Sequence, residues 1–103
     1  MTEGYVIGNE FYVAGVKFRK NWKENLKILE EGDTVDLVPE PENPYDRFAV
    51  KVKHCNVMLG YVPKVISREV SKLLPNLRAT ITGLAPDFEP WKALKVKIEE
   101  VSD

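Results

Sequence analysis

Apolar and polar residues alternate in short bursts along this chain, and glycine, proline or asparagine halts nearly every burst. From Phe11 to Phe18, FYVAGVKF sets Phe11, Val13, Val16 and Phe18 against polar or small neighbours, with Gly15 interrupting the alternation. That pattern predicts a strand with a bulge or a close backbone approach at the glycine. The period then changes: in NWKENLKILEEGD, Trp22, Leu26 and Leu29 recur at helical spacing, Asn21 stands at the cap position and Glu24 follows three residues on. A short helix closed at Gly32 is expected. TVDLVP, Thr34 to Pro39, returns to alternation, and Pro39 and Pro41 stop it. RFAVKVKH points Phe48, Val50 and Val52 one way and Ala49, Lys51 and Lys53 the other, and CN forms a hairpin turn into VMLGYVPK. KVISREVSKLLPN spaces Ile66, Val70, Leu73 and Leu74 as an amphipathic helix. RATITGLA and ALKVKIEEV read as two last strands around the loop PDFEPW.

About six short strands with only two helices do not fit an α/β sheet, which needs a helix after nearly every strand. The fold class expected is mainly β, a small OB-like antiparallel barrel of about six strands with two short helices. Length agrees, because 103 residues make one domain, 1–103, and leave nothing for a second. An apolar share of 44% and a charged share of 30% are those of a folded globular chain. The net charge of −1 means that binding to an anion must come from a local basic cluster and not from a global field. One cysteine, Cys55, excludes an internal disulfide and favours a reducing compartment, cytoplasmic and nucleoid-associated or, in a eukaryote, nuclear. No secretory signal or membrane span is legible.

The usual chemistries lack their residues. His54 and Cys55 are neighbours on a strand end, where successive side chains diverge, and no CxxC or HxxxH spacing supports a metal. A single histidine beside a turn cysteine is poor geometry for a nucleophilic relay. Glu40 and Glu42 are held by prolines on an extended, solvent-facing segment, where burial cannot raise a carboxyl for acid catalysis. The glycines form no phosphate-cradling loop. Neither an enzyme nor a cofactor is expected.

The segment NPYDR stands apart. Pro44 fixes φ and biases Asn43 towards an extended conformation, so Asn43 to Asp46 fits a type I turn. The bland reading packs Tyr45 over its own barrel and uses Asp46 as a turn cap. The functional reading is that a stiff corner displays an aromatic and a carboxylate together, at little entropic cost when a flat partner stacks. Basic residues around aromatics strengthen the second reading: Lys17, Phe18, Arg19 and Lys20 close one strand, and GYVPK brings Tyr61 and Lys64 to the end of another. Stacking surfaces interleaved with cations suit single-stranded nucleic acid.

FYVAGVKF, GDTVDLVPEPENPYDRFAVKV and LGYVPKVIS, in this order and spacing, resemble a HIRAN domain, over about Phe11 to Val101. The resemblance implies an OB-like barrel that holds the 3′ end of single-stranded DNA. It places a carboxylate at Asp46 that accepts a hydrogen bond from the terminal 3′-hydroxyl, and an aromatic at Tyr45 that stacks on the terminal base. It further implies that Phe18 and Tyr61 line the pocket, that Asn43 contacts the DNA, and that Lys17 and Lys64 approach phosphates. An acceptor-only carboxylate repels a phosphate and welcomes a hydroxyl, which separates an end from continuous backbone. This chain departs from the pattern at Phe18, which lacks a tyrosine hydroxyl, at Lys17, a point charge in place of arginine, and at Tyr61 in place of histidine. A helicase or nuclease that uses the bound end is expected on a separate polypeptide. The alternative is a protein-interaction domain on the same barrel that does not bind DNA, motivated by the exposed acidic PEPE edge and the near-neutral charge.

Overall fold

The computed structural model describes residues 6–7, 9–74, 76–87 and 89–101. Among these residues, seven strands and two α-helices follow in the order β1 (Val6–Ile7), β2 (Glu10–Tyr12), α1 (Trp22–Lys27), β3 (Thr34–Pro39), β4 (Val50–His54), β5 (Val57–Tyr61), α2 (Lys64–Leu73), β6 (Leu77–Leu84) and β7 (Leu94–Glu100). All pairings are antiparallel, in the spatial order β1-β2-β7-β6-β3-β4-β5. Register shifts between Val52 and Lys53 and between Ile81 and Gly83 curl the sheet. The curl brings the chain after β2 round to β5, where Ala14 and Tyr61 form a lone antiparallel bridge with two reciprocal N–H to O bonds of 2.8 Å. The seam of a six-stranded barrel is thus spanned at one point, and β1 lies outside it as a short addition to β2. This is the expected mainly β, OB-like architecture.

Alternation decides what is inside. Val50 and Val52 of β4 and Leu94 and Val96 of β7 are wholly buried, while Lys51 and Lys53 face outward. Phe11, Val13, Leu59 and Ile81 complete the centre, and the helices add Leu26 and Val70. The hairpin turn between β4 and β5 is Cys55-Asn56, both in the left-handed region at φ 49 and 69, the conformation a tight two-residue turn needs.

Three local expectations are corrected. The run from Phe11 to Phe18 is not one strand: β2 ends at Tyr12, Gly15 takes φ 73, and Val16–Phe18 form a 3-10 turn, so Lys17 and Phe18 sit on that turn. Asn21 precedes α1 but is itself left-handed at φ 57 and makes no side-chain cap. Its neighbour Asn25 instead donates through Nδ2 to the Lys20 carbonyl. Phe48 lies ahead of β4 and does not share the phase of Val50 and Val52; Ala49 is buried in its stead, and Phe48 is half-buried. Among the described residues no helix is long and apolar enough to cross a membrane.

Candidate functional site

The corner between β3 and β4 is locked by side chains. Asn43 Oδ1 accepts the backbone N–H groups of Tyr45 (2.8 Å) and Asp46 (3.0 Å), so the bend is closed through the asparagine side chain. Asp46 then accepts the Phe48 N–H on Oδ1 (2.9 Å) and the Ser67 hydroxyl on Oδ2 (2.8 Å). Ser67 is only 2% exposed and belongs to α2, so this bond ties the corner to the helix. The turn-cap reading of Asp46 holds, and it leaves the carboxylate with capacity to spare. Its carboxylate caps the local backbone, yet each oxygen retains a further lone pair for an incoming donor.

Tyr45 is not packed on the barrel; it is 84% exposed. It borders two hollows. The smaller, about 240 Å³, is lined by Ala14, Asn43, Tyr45, Asp46, Ala49, Tyr61, Val62 and Lys64. Five of the seven sequence-predicted residues thus meet in one cavity: Asn43, Tyr45, Asp46, Tyr61 and Lys64. The larger hollow, about 500 Å³, shares Asn43, Tyr45 and Tyr61 and adds Arg19, Glu40, Glu42 and Lys51 among others. Lys17 and Phe18 line neither. Phe18 is 71% exposed on its 3-10 turn with Lys17 Nζ 5.3 Å from its ring centre, and that turn packs against a second one, Pro90–Lys92.

Sequence reasoning missed Glu40, Trp91 and Ser67 as participants and took Arg19 only as one member of a basic cluster. Glu40, expected to face solvent, is half-buried, and its Oε1 accepts from Asn43 Nδ2 (2.8 Å) and from the Tyr61 hydroxyl (2.7 Å). Asn43 can bind both ways only because Glu40 takes its amide nitrogen while its oxygen holds the corner. Arg19 lines the larger hollow, and its buried Nε has no hydrogen-bond partner among the described residues. Trp91, 43% exposed with Lys92 Nζ 4.9 Å from its ring centre, stands on the turn packed against that of Phe18. Ser67 gave no signal beyond its place on the inner face of α2. The available hints were PWK, an aromatic-cation pair behind a proline, and the proline spacing that orients Glu40. His54 and Cys55 border one small apolar hollow beside α1, and no third ligand joins them among the described residues.

The bonds from Asn43 and Tyr61 hold the Glu40 carboxyl below the usual carboxylate range, and the Glu40 acceptor pushes the Tyr61 phenol up. Because the folded value of Glu40 is depressed, its stabilising effect is whole above the ordinary glutamate value of 4.5 and disappears as pH falls through the folded value. For Tyr61 the folded value is raised, so its share is whole below 10.0 and vanishes as pH rises through the folded value. Glu40→Ala should therefore return the Tyr61 phenol towards its ordinary titration, read by ultraviolet absorbance against pH, and cost about 1 kcal/mol of stability. An unchanged titration would show that the bond contributes nothing in solution.

The match to the HIRAN domain model runs over residues 3–99 of the chain. The chain belongs to the HIRAN domain family. Relatives include the helicase-like transcription factor of Oryctolagus cuniculus, 29% identical over 81% of this chain and 7% of that protein. The Fanconi-associated nuclease 1 homolog of Arabidopsis thaliana is 34% identical over 84% of this chain and 10% of its own length. The chain therefore spans a tenth or less of these relatives. Among solved structures, a protein from Lactobacillus plantarum superposes with a TM-score of 0.76 at 22% identity, covering 87% of this chain and 88% of that one. The HIRAN domain of human HLTF superposes with a TM-score of 0.59 at 19% identity, covering 87% and 68%. These likenesses establish the fold of the HIRAN domain for this chain.

Proposed function

We propose that this HIRAN domain binds single-stranded DNA without catalysing a reaction on it, and that it prefers a free 3′-hydroxyl. The observation that carries the reading is the shared small hollow. A fully displayed ring, Tyr45, and an acceptor-only carboxylate, Asp46, border the same unfilled cavity, with Lys64 at its rim. The ring offers a stacking face on a corner fixed by two bonds from Asn43, so little conformational freedom is lost when a base settles on it. Asp46 accepts from a terminal hydroxyl, whereas a 3′-phosphate in that place meets like charge. Tyr61 contributes its ring as a wall, since its hydroxyl proton is already given to Glu40.

On the other side of Tyr45 the strand runs towards Arg19, whose cationic side chain lines the larger hollow and suits a phosphodiester, and towards Lys17, Phe18 and Trp91, where further bases stack. The acidic edge that motivated a protein-interaction reading loses half its basis, because Glu40 is turned into the corner. The named relatives are a helicase-like protein and a nuclease homolog; by analogy, the end held here is handed to a motor or nuclease domain on the same or another polypeptide, wherever the cell keeps its DNA.

The test is a titration of one short oligonucleotide against its 3′-phosphorylated twin. The free end should bind at least about tenfold more tightly, the worth of one charge-assisted hydrogen bond. Equal affinity for the two would remove end recognition, and no affinity for either at low salt would remove DNA binding.

A further inference from the structure

A second basic surface begins at the rim of the small hollow and leads away from it along α2. Lys64, Arg68 and Lys72 follow one another at four-residue intervals and all three are exposed. Four residues advance a helix by about 6 Å and return to nearly the same face, so the three cations form a row. Successive phosphates of a nucleic-acid strand are separated by a distance of that order. Arg68 is not a free, solvated side chain: its guanidinium lies 5.4 Å from the centre of the Phe48 ring, and Arg47 lies 5.1 Å from the same centre. Phe48 is the residue that left the core phase ahead of β4, and its half-exposed ring is what the two guanidinium groups rest on.

None of Arg47, Lys64, Arg68 and Lys72 has an ion-pair partner among the described residues; the three pairs formed there, Lys27–Asp87, Lys95–Glu10 and Lys97–Glu99, lie elsewhere. Glu69 is the one acid within α2, against three cations. Asp46, beside Arg47 in the chain, accepts from Ser67 and the Phe48 N–H and forms no ion pair with any of the four among the described residues. Four unneutralised cations on a chain of net charge −1, two of them stacked on one ring, are a preformed anion surface. Lys64 lines the small hollow and Arg19 the large one, so the row starts at the hollow assigned to the strand end and not at the one assigned to the continuation of that strand.

We propose that Lys64, Arg68 and Lys72, with Arg47 beside them, form a track for the phosphates of a second stretch of DNA backbone, outside the 3′-end pocket. This rests on the reading of the pocket given above. A row that starts at the hollow for the terminal nucleoside favours the strand to which a recessed end is paired, continuing past that end, so the domain reads a junction as well as a terminus. A distal part of the same long strand would present identical chemistry, and the substrates below separate the two.

The experiment compares the wild-type domain with the Arg68→Gln, Lys72→Gln double variant on three substrates with free 3′-hydroxyls: a single strand of about four nucleotides, one of about sixteen, and a recessed end annealed to a longer strand. Both positions are exposed, and a melting curve checks that the fold is retained. The short strand should bind both proteins within about twofold. The recessed end should lose about tenfold in the variant, and the slope of log affinity against log salt should flatten by about 1.4, since the longer strand is unpaired beyond the end. A loss on the long single strand as well, with a flattening of about 1.4, would support the track and assign it to the same strand. Arg68→Lys, which keeps the charge, should recover most of the slope. Unchanged affinity and slope on all three substrates would overturn the track and leave the pocket standing, whereas a wild-type domain that binds none of them would overturn both.

Discussion

Asp46→Asn should abolish the preference for a free 3′-hydroxyl while the domain stays folded. Asparagine keeps an oxygen for the Phe48 N–H, now 2.9 Å from Asp46 Oδ1, and its amide faces Ser67, which has a second acceptor in the Lys64 carbonyl at 3.2 Å. The local network can therefore rearrange without leaving a buried group unpaired. What changes is the chemistry at the cavity: a negative acceptor becomes a neutral group with two donors. Binding of the hydroxyl-ended oligonucleotide should fall by about tenfold or more, and binding of the 3′-phosphorylated one should stay level or rise. Asp46→Ala is the less informative change, because it cuts the tie to Ser67 and strands the Phe48 N–H, at about 1–3 kcal/mol of stability. A variant with asparagine that still discriminates the two ends would place the selectivity on some other group.

The Asp46 carboxylate is the middle of a relay that crosses the molecule. Glu40 holds Tyr61 and Asn43, Asn43 holds the backbone of Tyr45 and Asp46, and Asp46 holds Ser67. β3, β5 and α2 are thus fastened to one corner, and the displayed ring of Tyr45 moves only if several bonds give way together. Such preorganisation lowers the ordering cost of binding. It also accounts for tyrosine at position 61: the hydroxyl reaches a carboxylate that a smaller or apolar ring would leave with one partner fewer.

Where side-chain period and turn chemistry act locally, the sequence was sufficient. β3 is bounded at Thr34 and Pro39 as its alternation and prolines required, the Cys55-Asn56 turn sits between β4 and β5, and α2 follows its apolar spacing. The corner was legible because asparagine, proline and aspartate each restrict the backbone or bond to it. Failures fell where a distant contact overrode the local pattern. The alternation from Phe11 to Phe18 breaks because Ala14 must pair with Tyr61, far along the chain, and Gly15 in its left-handed conformation then turns the strand aside. Glu40 turned inward because a phenol from β5 waits there, which no reading of PEPE alone could show. Phe48 lost its core place because the strand phase starts two residues later, at Val50, and its ring serves two arginines at the surface. Trp91 lay in a loop whose conformation depends on the turn that carries Phe18.

Gly60→Ala should be the most damaging methyl addition among the described glycines. Gly60 lies at φ 156 in β5, paired with Val52, and a Cβ there would stand on the Ala14 carbonyl oxygen and 2.6 Å from Val13 Cγ1. Val13 is a core residue, and the Ala14 carbonyl is the acceptor for the Tyr61 N–H across the barrel seam. Neither neighbour is a flexible side-chain end, so the backbone of the seam has to move. The positive φ adds strain that glycine does not feel. Together the two effects should remove about 3 kcal/mol or more, which for a domain of this size lowers the melting temperature by at least about 12 °C. Gly83→Ala is the matched control. A Cβ at that position comes to 3.2 Å from Lys95 Cβ and 3.4 Å from Lys95 Cε, so the paired strand has to give by only a few tenths of an ångström without left-handed strain, and the cost should stay at about 1 kcal/mol. Because the seam positions Tyr61, Gly60→Ala should also weaken oligonucleotide binding at temperatures where the protein is still folded, whereas Gly83→Ala should not. Equal stability of the two variants would show that the Ala14–Tyr61 bridge is dispensable, and that the wall of the pocket is held by something other than closure of the barrel.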